Sequence, residues 1–107
     1  MVIKEVVIHK SVIEKWAKRS TPPVALTKIN STLDYINQRL KNADPDNVVI
    51  VEDSVGSDEF NLLPKRVGKG NEARLMGTRA GYCMKEARSL LEDNGIKVEL
   101  DSEGSLA

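Results

Sequence analysis

One apolar stripe at helical spacing constrains this chain more than any other feature. Apolar side chains recur every three or four residues, at Leu26, Ile29, Leu33, Ile36 and Leu40. This spacing places them along one face of a helix of about five turns. The stripe has to pack against another apolar surface, which a sheet of this chain or a second subunit would supply. It spans too few heptads to predict a coiled coil.

Short segments rich in valine and isoleucine predict the strands. We expect strands at residues 2–8, Val48–Val51, 73–78 and 96–100. A capping box at residues 11–14 predicts a short helix, and Thr21 followed by Pro22 predicts the start of the long one. A last helix is expected over residues 80–93, ended by Asn94-Gly95.

Because helices and strands do not alternate strictly, we predict an α+β fold. Its small mixed or antiparallel sheet packs against two or three helices. A long loop is expected between strands at residues 56–70, with a weak strand near residues 60–63. The prediction gives a single domain over residues 1–100 and a flexible C-terminal tail over residues 101–107.

Composition narrows the functional classes. Sixteen basic and sixteen acidic side chains give a formal net charge of zero, which argues against a general nucleic-acid binder. The single cysteine and single histidine exclude an internal disulfide and a cysteine-based zinc site. We therefore expect no catalytic residues, no metal and no cofactor, and we predict that the protein is not an enzyme. An apolar run of the ~20 residues that span a membrane is missing, so no membrane association is expected.

The residues that most often carry chemistry have ordinary interpretations here. His9 is read as a polar residue at the end of a strand, and Cys83 as a small core residue of the last helix. The string from Gly68 to Ala73 matches G-x-G-x-x-A formally. A dinucleotide fingerprint needs a helix directly after it, whereas a strand is predicted at that point.

Five basic residues form the candidate interaction patch, because they concentrate positive charge on and beside the long loop of a neutral protein. Such a patch would contact phosphates or an acidic protein surface. The alternative is a solvated loop edge balanced by neighbouring acidic residues. The residues are Lys65, Arg66, Lys69, Arg74 and Arg79.

A second-half motif resembles a known group of phage proteins. The run from Gly70 to Ala80 is followed by Glu86-Ala87-Arg88-Ser89-Leu90-Leu91. In the small neck and tail-completion (head–tail connector) proteins of long-tailed bacteriophages, a strand ending near a threonine leads into a helix with the pattern Glu-Ala-x-x-x-Leu. Thr78, Glu86, Ala87 and Leu90 match that pattern, so the chain is similar to this family.

The resemblance implies a structural assembly protein that forms part of an oligomeric ring around the DNA channel of the virion neck. Its partners would be further copies of itself and neighbouring phage structural proteins. It would be located in the virion, and in the host cytoplasm during assembly. Whether the basic loop contacts DNA or protein stays open. Two alternatives also stay open: a small phage- or plasmid-encoded inhibitor of a host protein, and a nucleic-acid-binding module.

Overall fold

The computed structural model describes residues 1–23, 25–79 and 81–106, and Val24, Ala80 and Ala107 lie outside the described residues. Strands and helices follow one another along the chain. They are β1 (Ile3–Ile8), α1 (Lys10–Ala17), α2 (Leu26–Asn42), β2 (Val48–Val51), α3 (Asp58–Asn61), α4 (Leu63–Val67), β3 (Glu72–Thr78), α5 (Cys83–Asp93) and β4 (Lys97–Leu106), and a 3₁₀ turn, Pro45–Asn47, precedes β2.

The sheet has the strand order β2-β1-β3-β4, and every neighbouring pair is parallel. The predicted mixed or antiparallel sheet of an α+β fold is therefore wrong, and the arrangement is α/β. Each pair of consecutive strands is separated by at least one helix. Two consecutive strands can run parallel only if the connection returns the chain to the end of the sheet where the first strand began. A helical connection does this, whereas a hairpin joins antiparallel strands.

The helices cover both faces of the sheet. The buried residues of α1 and α2, among them Ile13, Ile29 and Ile36, share a core with Val7 and Met76. The helices α3, α4 and α5 pack on the other face, against the side chains that alternate with these along the strands. A strand covered on both faces is apolar throughout, as Val48–Val51 is.

The predicted stripe lies on α2 and packs on the sheet of this chain. The expected helix of about five turns is confirmed, since α2 has 17 residues. Ile29 and Ile36 are fully buried, whereas Leu26 is 44% exposed at the helix start. The helix begins at Leu26 and not at Pro22, so the predicted cap at Thr21 is wrong.

Residues 56–70 contain two short helices where the sequence predicted a long loop with a weak strand. The hydroxyl of Ser57 accepts a hydrogen bond from the backbone N–H of Phe60 at 3.1 Å and thereby caps α3. Phe60 and Leu63 are buried in the core. Pro64 lies in the first turn of α4, where a missing N–H costs nothing.

The last strand is longer than predicted. It continues through residues 101–106, where a strand end at Leu100 and a tail were expected. A bulge interrupts its pairing with β3 between Leu75 and Gly77. The hydroxyl of Tyr35 donates to Asp101 at 2.6 Å, and Leu106 is buried in the core. The contact of Asp101 holds the bulged stretch, and Leu106 anchors the strand after it.

Two further local predictions have different outcomes. The expected end of the last helix is confirmed, since Asn94 follows α5 and Gly95 has a φ of 76°. The capping box at the start of α1 is wrong, because His9 is the N-cap residue and no side chain of the box caps the helix. No helix in the described part of the chain is both long and apolar enough to span a bilayer.

Candidate functional site

The strand order creates a crevice at one edge of the sheet. The strands β2 and β3 lie on opposite sides of β1, and the helices that follow β1 and β2 cover opposite faces. In such open parallel sheets, ligands bind outside the carboxyl ends of the strands at the point where the order reverses. Here that point lies between the ends of β1 and β3.

A cleft of about 350 Å³ occupies this position. Residues that directly follow three strands contribute to its walls, and the start of α5 closes one side. The polar and reactive residues among its lining are His9, Glu52, Ser54, Thr78, Arg79, Tyr82 and Cys83.

Gly77 brings the ends of β1 and β3 close enough to form one cleft. It pairs with Ile8 in the sheet and has a φ of 125°, which side-chain-bearing residues rarely adopt. A Cβ at this position would lie 2.1 Å from the carbonyl oxygen of Ile8. Only glycine therefore allows this approach, and the residue after it, Thr78, is placed beside the end of β1.

His9 connects β1 directly to α1 in a strained conformation. Its φ of 57° and ψ of 46° are left-handed, and it is the only residue other than glycine with a positive φ in the described part of the chain. Its Nε2 lies 2.8 Å from the backbone oxygen of Asp53. Because a carbonyl oxygen only accepts, Nε2 carries the hydrogen, and in the neutral ring Nδ1 is left as an acceptor. Strained residues of this kind concentrate at functional sites.

Glu52 directly follows β2 and binds the first turn of α1. Its two carboxylate oxygens lie 3.3 and 3.2 Å from the backbone nitrogen of Ser11, which donates to them. A carboxylate at a helix N-terminus is stabilised by the unpaired N–H groups and the helix dipole. The exposed oxygens of Glu52 keep further lone pairs for a ligand donor at the edge of the cleft.

The hydroxyl of Thr78 is buried without a partner. The residue is 0% exposed, and its Oγ1 makes no hydrogen bond with the residues that the structure describes. Thr78 ends β3 and lines the cleft. An unsatisfied buried hydroxyl costs about 1–3 kcal/mol. The Thr78 hydroxyl is therefore expected to lower the free energy of unfolding.

The segment after β3 supplies the other side of the cleft. Arg79 is exposed and forms no ion pair with the acidic residues that the structure describes. Tyr82 is 57% exposed at the rim and is the N-cap residue of α5, which no side chain caps. Cys83, the first residue of α5, is buried and also lines the cleft.

The loop after β2 is linked to the start of α1, because the backbone of Asp53 binds His9, as described above. Asp53 also lies close to Glu59 of α3. A hydrogen bond that the protonated Glu59 carboxyl group donates to Asp53 raises the pKa of Glu59.

The predicted basic patch is divided among different surfaces. Arg66 bonds to the carbonyl of Ile50 and lies 3.8 Å from Glu59, on the face covered by α4. Arg74 lies on the α2 face, where it approaches Glu5. The seven residues of β3, about 20 Å of strand, separate Lys69 from Arg79. Lys65 and Lys69 line a shallow groove by the start of β4, so only Arg79 borders the cleft.

A second polar cluster lies between the sheet and α2. Glu5 is 8% exposed, and its carboxylate oxygens lie 2.8 Å from Arg39 and 3.8 Å from Arg74. The cluster anchors α2 to the sheet and lies outside the lining of the cleft.

Sequence reasoning singled out part of the cleft and missed the rest. It considered His9 and Cys83 separately and read each as structural, and it selected Arg79 only as a member of the basic patch. Thr78 entered only through the family motif, and Glu52 and Tyr82 were not proposed as site residues. The position of Glu52 directly after the four apolar residues of β2 was the available signal for a site residue. Such a position indicates a binding site only once the sheet is known to be parallel, because the carboxyl ends of the strands then lie at one edge.

Comparisons with known proteins supply no relative. No family model matches the chain, and no curated protein or solved structure matches it either. Among the described residues, no group of three or more histidine, cysteine, aspartate or glutamate side chains could hold a metal ion. The interpretation of the cleft therefore rests on its own geometry.

Proposed function

We propose that this protein binds a small polar ligand in the cleft between the carboxyl ends of β1 and β3. The observation that carries the proposal is Thr78, a fully buried residue that lines the cleft and whose hydroxyl has no hydrogen-bond partner among the described residues. Buried polar groups without a partner call for an explanation, and of the five residues with such an atom in the described part of the chain, only Thr78 lines the cleft. A ligand, or a water molecule that a ligand orders, would supply the missing hydrogen bond.

Two further features support the proposal. The cleft lies where doubly wound parallel sheets generally bind ligands, which is an argument from fold geometry. His9 is held in a strained conformation at the same place. The volume of about 350 Å³ is at the small end of the range for ligand pockets, so the ligand is expected to be a metabolite-sized molecule.

A titration monitored by amide NMR tests this function. The ¹⁵N-labelled protein is titrated separately with ribose 5-phosphate, adenosine monophosphate, glutamate, succinate and glucose. Saturable shifts confined to residues 9–12, 52–55, 78–79 and 81–83 are expected for at least one of them. If every compound leaves these amides unchanged at millimolar concentration, or if the shifts map to another surface, the proposal is refuted.

The virion-assembly hypothesis stays a prediction, together with its ring, its phage partners and its expected lack of enzymatic activity. One observation favours it as a second candidate. The strand that ends at Thr78 is followed by the helix that carries Glu86 and Leu90, which is the order that the resemblance requires. Mass spectrometry of purified virions tests it, and a protein missing from the particles would exclude it. Binding to a host protein and salt-dependent binding to nucleic acid remain the other two predictions.

A further inference from the structure

The walls of the cleft differ in what they offer a ligand. On the β3 side, Arg79 supplies a charged donor, and α5 begins with no side-chain cap. The backbone oxygen of Arg79 accepts hydrogen bonds from the N–H groups of Tyr82 and Met84, so only part of the first turn of α5 is open to a ligand. On the β2 side, Glu52 supplies carboxylate oxygens that only accept. The ligand must therefore carry an anionic group at one end and hydrogen-bond donors at the other.

A phosphate group fits the β3 side. Helix N-termini bind phosphate because their first N–H groups point outward and the helix dipole favours negative charge. Arginine adds a planar, permanently charged donor set that matches phosphate oxygens. Thr78, at the end of β3, also lines the cleft, and its hydroxyl is a further donor that has no partner among the described residues.

Sugar hydroxyls fit the β2 side. An acidic residue after a neighbouring strand accepts hydrogen bonds from ribose hydroxyls in doubly wound nucleotide-binding folds, and Glu52 has the corresponding place after β2. When the His9 ring is neutral, its Nδ1 is a second acceptor, because Nε2 carries the hydrogen that faces Asp53. The exposed ring of Tyr82 provides an apolar surface at the rim on which a sugar or a base would rest.

From this arrangement we infer that the ligand is a phosphorylated sugar, with its phosphate at Arg79 and the start of α5 and its hydroxyls at Glu52. The inference rests on the proposed function, since it names the ligand class of the same cleft. The shared chemistry is a sugar phosphate, either free or as the sugar-phosphate part of a mononucleotide.

Isothermal titration calorimetry with defined probes tests the inference. Ribose 5-phosphate is expected to bind at least about tenfold more tightly than ribose or inorganic phosphate alone, because each of these loses one charged contact. Adenosine monophosphate separates the two sources: tighter binding than ribose 5-phosphate indicates a nucleotide, and equal or weaker binding indicates a free sugar phosphate. Both outcomes support the class.

Two substitutions test which residue binds the phosphate of the ligand and which binds its hydroxyls. Arg79→Gln is expected to weaken ribose 5-phosphate and inorganic phosphate alike by about tenfold. Glu52→Gln is expected to weaken ribose 5-phosphate while inorganic phosphate is unaffected. Arg19→Gln is the matched control for charge, because Arg19 is exposed beyond the far end of α1 and does not line the cleft. Thermal melts of each variant verify folding.

The possible failures are distinct. If glutamate or succinate binds in the cleft more tightly than ribose 5-phosphate, the ligand class is wrong and the proposed function survives. Equal effects of Arg79→Gln and Arg19→Gln would also overturn the inferred phosphate position. If no probe binds in the cleft, both the inference and the proposed function fail.

Discussion

Replacing Thr78 by valine tests the central structural observation directly. Valine has nearly the same shape as threonine and lacks the hydroxyl. In a fully buried side chain whose oxygen has no partner, the hydroxyl costs about 1–3 kcal/mol relative to an apolar group. Valine also suits the strand in which the residue lies.

We expect Thr78→Val to raise the free energy of unfolding by about 1 kcal/mol, at the low end of that range because the packing around the new methyl group is imperfect. For a domain of this size, the corresponding rise in Tm is about 4–8 °C. Thr78→Ser is the matched control. It keeps the hydroxyl and loses a buried methyl group, so it should destabilise the fold by about 1 kcal/mol.

Urea denaturation followed by tryptophan fluorescence measures both variants. Trp16 is the single tryptophan and packs at the edge of the core formed by α1 and α2. If Thr78→Val lowers the free energy of unfolding by 1 kcal/mol or more, the hydroxyl has a partner in the folded protein. The argument for the cleft would then lose its main support.

Three further changes probe other parts of the molecule. Gly77→Ala should destabilise the protein by at least about 3 kcal/mol in urea denaturation, because the new Cβ meets the backbone of β1 and the residue has a positive φ. Glu5→Gln should cost about 2 kcal/mol in the same assay, since Arg39 then faces an uncharged group in a largely buried site. The hydrogen bond to Asp101 raises the pKa of Tyr35 above its ordinary value of 10.0. The stability that this bond provides is complete below pH 10 and is lost as the pH rises through the higher folded pKa, so the advantage of the wild type over Tyr35→Phe should shrink there.

Each of these predictions has a control. Gly81→Ala should be nearly neutral, because a Cβ there meets nothing within 4 Å; an equal loss would show that close approach does not explain Gly77. Glu14→Gln breaks an exposed pair with Lys10 and should change stability by less than about 1 kcal/mol. Tyr82→Phe leaves Tyr35 as the remaining tyrosine, and a tyrosinate absorbance midpoint at or below pH 10 in that variant would contradict the raised pKa.

The sequence predicts a helix or strand correctly where the spacing of apolar residues within that element is sufficient to identify it. The spacing of Ile29 and Ile36 predicts the long helix correctly, since a helix buries one face whatever it packs against. The segment Val48–Val51 predicts a strand for the same reason. Its uninterrupted apolar character also fits a strand covered on both faces, but that signal does not specify which strand it pairs with.

The remainder depended on contacts between distant parts of the chain. Phe60 is apolar in an otherwise polar segment, and only packing against the sheet shows that it belongs to a helix. Likewise, Glu52 and Thr78 are 26 positions apart in the sequence and meet because β2 and β3 flank β1. The predicted mixed or antiparallel sheet does not require these strand ends to lie at the same side of the sheet, which explains why the cleft was missed.

Both outer strands of the sheet are poorly suited to recruit a strand from another molecule. The strand β2 has only four residues, and β4 carries charged side chains at alternate positions: Lys97 and Glu99 before its bulge and Asp101 within it. Short, charged and bulged edges disfavour edge-to-edge hydrogen bonding between sheets. Any assembly of this protein, a ring included, is therefore expected to form through side-chain surfaces of its helices and loops, and not by extension of the sheet across subunits.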